Sequence, residues 1–93
     1  MSLQQFNNEK LNLEILAEEA AEVIQIKSKI IRFGINDYHP KNKMPNREKL
    51  GQEIGHFIEM VNLLVGNGTV SKESIARGIN HKTEKLKKWY CNE

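Results

Sequence analysis

"REKLGQEIGHFIEMVNLLV", residues 47–65, places leucine, isoleucine, phenylalanine, methionine and valine at intervals of threes and fours, the period of one helix face. Asn46 precedes the run as an N-cap and "GNG" follows it as a stop, so a helix is expected over 46–66. On a wheel turning about 100° per residue with Glu53 as origin, Met60, Leu64 and Phe57 fall within about 40° and His56 about 60° to one side. A carboxylate thus lies inside the apolar seam, with an imidazole at its margin.

The same arrangement occurs upstream. From about Asn8 to Phe33, Leu13, Leu16, Ala20, Val23, Ile24, Ile30 and Ile31 keep a helical period with no proline among them. Asn7 or Asn8 caps the start, and Gly34 is the expected stop, in a left-handed conformation. Within "EEAAE", residues 18–22, Glu19 shares its face with Ile15, Val23, Ile26 and Ile30, while Glu22 lies about 60° to one side. Glu14 and Glu18 fall on the polar flank. Each helix therefore presents one polar group in its seam and a second three residues along, where all four can reach one point between the helices.

"INDYHPKNKMP", residues 35–45, holds both prolines and reads as a loop. Connections of this length serve as spacers, lids or binding loops. Ser71 caps a third helix over 71–90, with Ile75, Ile79, Leu86, Trp89 and Tyr90 on its apolar side. Lys82 falls among those residues, while Asn80 and Lys85 lie off them. Lys82 is either a snorkelling side chain or part of a charged pocket. The expected class is all-α: a helical hairpin plus a third helix.

With 93 residues the chain is read as a single domain, 1–93, and a monomer of that size is marginal, so oligomerisation is expected to supply missing core. The net charge of +2 does not imply nucleic-acid binding. Residues 1–33 carry four basic and five acidic groups and residues 34–93 ten and seven, the excess lying in "KNK" and "KTEKLKKW". These runs read as a solvated face or as a phosphate site. Cys91 is the only cysteine, which excludes an intrachain disulfide and favours a reducing, cytoplasmic location; near the chain end it reads as an incidental thiol. No export signal or membrane span is indicated.

An ionised carboxylate in an apolar seam is costly without a positive companion, and several together repel one another. Two readings follow. The glutamates pair with Arg32, Arg47 or Lys82, or they hold a cation, for which hard oxygen ligands suit Mg²⁺ or Mn²⁺.

Glu19-Ala-Ala-Glu22 and Glu53-Ile-Gly-His56 resemble the paired motifs of the MazG-like all-α nucleoside triphosphate pyrophosphohydrolases, whose pattern is Glu-x-x-Glu on one helix and Glu-x-x-Asp on the next. The resemblance runs from about Leu16 to Trp89. "RFG", the "HP" of the loop, "NRE" and "QEIG" are similar to the small single-domain members of phages and bacteria. It implies helical hairpins pairing into a four-helix-bundle core as a homodimer or homotetramer. It also implies metal-dependent hydrolysis of a nucleoside triphosphate to the monophosphate and pyrophosphate, with Mg²⁺ as the usual ion and Mn²⁺ an alternative. On this resemblance Glu19, Glu22 and Glu53 are metal ligands and Glu18 orients the attacking water. The closing segment "INHKTEKLKKWY" assigns Lys82 and Lys85 to phosphate contact and Asn80 to phosphate or base. Trp89 and Tyr90 read as core aromatics or as a base platform.

His56 departs from the family, standing where the pattern has aspartate. Imidazole is a poor partner for Mg²⁺ and a good one for Mn²⁺, Fe²⁺, Zn²⁺ or Ni²⁺. Three outcomes follow: His56 ligates a softer metal as a fourth ligand, it points away while three glutamates bind Mg²⁺ weakly, or turnover is lost. The last gives a second functional reading, a catalytically silent helical oligomer that binds nucleotide or a protein partner. A third, a basic nucleic-acid binder, leaves the seam glutamates unexplained.

Overall fold

The structure is a computed structural model that describes residues 6–91; residues 1–5 and 92–93 of the expected single domain lie outside the described residues. It contains three helices, α1 (Glu9–Phe33), α2 (Asn46–Gly66) and α3 (Lys72–Cys91), and no strand among the described residues. The class is all-α, and the helices fall where the apolar period put them. No helix of the described residues is long and apolar enough to cross a membrane.

Helix α1 is about 38 Å long at about 1.5 Å per residue. Asn8 caps it, its side-chain oxygen accepting a hydrogen bond from the Leu11 N–H at 3.0 Å. Gly34 ends it, its N–H bonded to the Ile30 carbonyl at 2.8 Å. The expected left-handed geometry is replaced by φ 107° and ψ 154°, a region of positive φ with extended ψ that only glycine occupies freely. A turn follows at once, closed by the Asp37 N–H on the Gly34 carbonyl at 3.4 Å.

The loop that follows is pinned to its own ends. Backbone bonds run from the Asn46 N–H to the Asp37 carbonyl at 2.7 Å and from the Arg47 N–H to the Ile35 carbonyl at 2.9 Å. Asn46 was expected to cap α2; instead it is the buried first residue of the helix and Pro45 occupies the cap position with no side-chain bond. The Asn46 amide is turned the other way, donating to the Gly34 carbonyl at 3.0 Å. One buried side chain thereby ties the end of α1 to the start of α2.

The far end of the hairpin is tied similarly. Asn12, buried in α1, and Asn67, just after α2, both donate to the Phe6 carbonyl. With Gly34 near Asn46 and Phe6 near Asn67, α1 and α2 run antiparallel. After α2, "GNG" closes the helix with Gly68 at φ 78°, and Ser71 caps α3 through a bond from the Ser74 N–H at 3.0 Å.

Ile26, Leu63 and Leu64 are the buried apolar residues between α1 and α2. Helix α3 has no buried residue and meets the hairpin near its start, where Ile75, Ala76 and Ile79 share a cleft with Val61 and Val65. Ile79 is nonetheless exposed, and the apolar side beyond it is open at Leu86, Trp89 and Tyr90. The radius of gyration is 16.3 Å, against about 12 Å for a compact chain of this length.

Candidate metal centre

Antiparallel packing brings the two polar positions of α1 and α2 to one level. Glu53 is 1% exposed, the most deeply buried side chain of the described residues, and Glu19 is half-buried opposite it. His56, one turn beyond Glu53, has a side chain 57% exposed and closes the group toward solvent. Its Nδ1 lies 3.5 Å from Glu19 Oε2 and 3.6 Å from Glu53 Oε1. These separations exceed a good N–H···O bond of about 2.9 Å, so the ring stands between two carboxylates without bonding closely to either.

The carboxylate oxygens are under-satisfied. Glu19 Oε2 and both oxygens of Glu53 are buried and lack a hydrogen-bond partner. The nearest positive charge is Lys49, whose Nζ is 3.1 Å from Glu53 Oε1; the ammonium is close but not aligned for a hydrogen bond.

Glu22 faces Glu53 carboxyl to carboxyl. As two anions they offer each other no donor; when Glu22 is protonated its O–H donates to Glu53. That hydrogen bond, then the Glu53 charge, burial and the Glu19 charge, raise the Glu22 pKa, with Lys49 opposing. The same hydrogen bond lowers that of Glu53 despite burial, assisted by Lys49 and His56. A proton on Glu22 therefore relieves the repulsion between the two carboxyls.

Glu19, Glu53 and His56 each offer one ligand atom, all within 4.8 Å of one another, a set suited to a divalent ion. Glu22 adjoins them at the exposed margin. Glu18 is exposed and outside the group. Asn80, Lys82 and Lys85 are exposed on α3, and among the described residues none of them bonds to the carboxylates. Lys82 holds its Nζ 4.5 Å above the Trp89 ring, a cation–π contact within α3.

Of the partners expected for the glutamates, Arg32 instead covers the Phe33 ring at 5.0 Å, and neither Arg47 nor Lys82 pairs with them among the described residues. Lys49 was not anticipated. The signal was available in its spacing: four residues before Glu53, it lies about 40° away on the same face.

No protein-family model, curated protein or solved structure matches the chain, so its functional reading rests on this geometry and on the motif resemblance.

Proposed function

We propose that the protein is a metal-dependent nucleotide pyrophosphohydrolase that cleaves a nucleoside triphosphate to a monophosphate and pyrophosphate. The observation that carries this is Glu53: a carboxylate 1% exposed, its oxygens without a hydrogen-bond partner and with a half-exposed Lys49 as counter-charge, facing Glu19 and Glu22 across the helix seam. Left alone the arrangement is costly; as a ligand set it is useful. The resemblance of Glu19-x-x-Glu22 and Glu53-x-x-His56 to paired acidic motifs supplies the reaction class.

The carboxylates of Glu19, Glu22 and Glu53 fit a divalent ion of the Mg²⁺ or Mn²⁺ kind, and His56 as a fourth ligand suits Mn²⁺. When bound, such an ion neutralises phosphate charge and acidifies water. Glu18, exposed beside Glu19, is assigned to orient the water that adds to the α phosphorus as the bond to the bridging oxygen breaks and pyrophosphate leaves. His56 is on the solvent side, where a triphosphate has access.

Asn80, Lys82 and Lys85 are assigned to the substrate, with α3 of a second copy bringing them to the site in the proposed oligomer. Two open apolar surfaces support a homodimer or homotetramer with a four-helix core. One is the α3 face; the other is a groove of about 260 Å³ lined by Ala20, Val23, Ile24, Ile54 and Phe57. A hairpin with three buried apolar side chains has little core of its own.

The test is pyrophosphate release from a panel of nucleoside triphosphates with Mg²⁺ and with Mn²⁺. Turnover abolished by Glu53→Gln is expected. The Lys49 ammonium at Glu53 favours a second reading, a silent nucleotide-binding or partner-binding oligomer. Absence of turnover with every divalent ion, and its appearance in His56→Asp, would replace the first reading by the second.

A further inference from the structure

The ligand atoms at the centre are not equivalent. Two are carboxylate oxygens and the third is His56 Nδ1, at 3.5 and 3.6 Å from them. Ligands at about 2.0–2.2 Å from one ion stand roughly 3–3.5 Å apart when adjacent. The imidazole is thus spaced from Glu19 and Glu53 as a co-ligand would be. The acidic cluster does not carry this alone: Glu53 is 1% exposed, and the two oxygens nearest His56 Nδ1, Glu19 Oε2 and Glu53 Oε1, are buried without a hydrogen-bond partner.

We infer that Glu19, Glu53 and His56 form a site selective for a first-row transition-metal dication, of the Mn²⁺, Co²⁺, Ni²⁺ or Zn²⁺ class, over Mg²⁺. This rests on the metal-site part of the proposed function but not on the hydrolysis. An imidazole in place of a carboxylate changes both terms that govern ion choice. It removes one negative charge, which a hard, reluctantly dehydrated ion such as Mg²⁺ needs most. It adds a nitrogen donor, which transition metals bind well and Mg²⁺ binds poorly. The exposed side of His56 leaves further coordination positions to water or phosphate.

Lys49 does not block the site. Its side chain is 47% exposed on a flexible stem and can turn to solvent when a dication takes over the charge of Glu53. His39 and His81, both exposed and outside the cluster, serve as internal controls for adventitious imidazole binding.

The experiment is equilibrium binding of Co²⁺ and of Mg²⁺ alone to the full chain, by calorimetry and by the visible absorption of Co²⁺. It uses wild type, His56→Asp, Glu53→Gln and a His39→Ala/His81→Ala double variant, each checked for helical circular dichroism. Wild type is expected to prefer Co²⁺ by about a hundredfold or more, His56→Asp to narrow that ratio at least tenfold, and Glu53→Gln to abolish tight binding of both. The double variant is expected to retain the preference. A ratio unchanged in His56→Asp, a wild type that binds Mg²⁺ as tightly as Co²⁺, or loss of the preference in the double variant overturns the inference. A His56-dependent preference without pyrophosphate release would sink the hydrolase reading and leave this one standing; Mg²⁺-supported release without the preference would do the reverse.

Discussion

The Lys49 ammonium stands 3.1 Å from Oε1 of Glu53, one helical turn away and on the same face, making it the internal counter-charge of the centre. A dication at Glu53 and this ammonium repel each other. Lys49→Met is therefore expected to tighten metal binding by roughly thirtyfold, the effect of about 2 kcal/mol for a dication and a unit charge near 4 Å in well-solvated surroundings. The metal-free protein should lose about 1–2 kcal/mol, less than for a fully buried pair because the lysine is half exposed. Calorimetric titration and denaturant melts of the same variant check both signs.

Glu53→Leu separates function from stability. Leucine fills the seam between α1 and α2 with apolar surface and removes a buried charge, and the Lys49 left behind is half exposed, so no buried charge is left unpaired. The variant is expected to melt at or above the wild-type temperature in chelator and to gain nothing from added metal. A marked loss of stability would mean that the carboxylate is structural.

The Glu22–Glu53 contact makes the metal-free protein sensitive to pH in two directions. Glu53 is lowered below the ordinary 4.5, so its contribution is full above that value and is lost as pH falls through the folded-state pKa. Glu22 is raised above 4.5; its contribution is full below that value and is lost as pH rises through the folded-state pKa. Together the two favour an optimum around the ordinary carboxylate value. In Glu22→Gln the amide stands in for the protonated acid, so the variant should exceed wild type in stability at neutral pH and converge with it below 4.5. Melting temperatures from about pH 3 to pH 8 in chelator measure this. A difference independent of pH would count against the contact.

Ile79 is exposed on the apolar side of α3 in the single chain. If a second copy covers that side, Ile79→Glu buries an unpaired charge in the interface and should shift light-scattering mass from oligomer to monomer. A wild-type protein that is monomeric at all concentrations removes both the interface and the route by which Lys82 and Lys85 reach the centre.

The extents of α1, α2 and α3 were legible because helix formation is a local matter: apolar residues every three or four positions, with Asn8 and Ser71 before and Gly34 and Gly68 after, need no distant partner. The phase of those stripes also placed Glu19 and Glu53 on inward faces. Register between helices was not legible. It depends on the Asn46 amide reaching the Gly34 carbonyl, and a side chain expected as a cap gave no sign of that longer bond. Only tertiary packing brought His56 Nδ1 to 3.5 Å from Glu19, because the meeting of residues 37 positions apart in sequence depends on how two rods are laid together. Periodicity likewise marked one side of α3 as apolar, but what covers an apolar face is decided by the surfaces around it, and within this chain most of that side remains open.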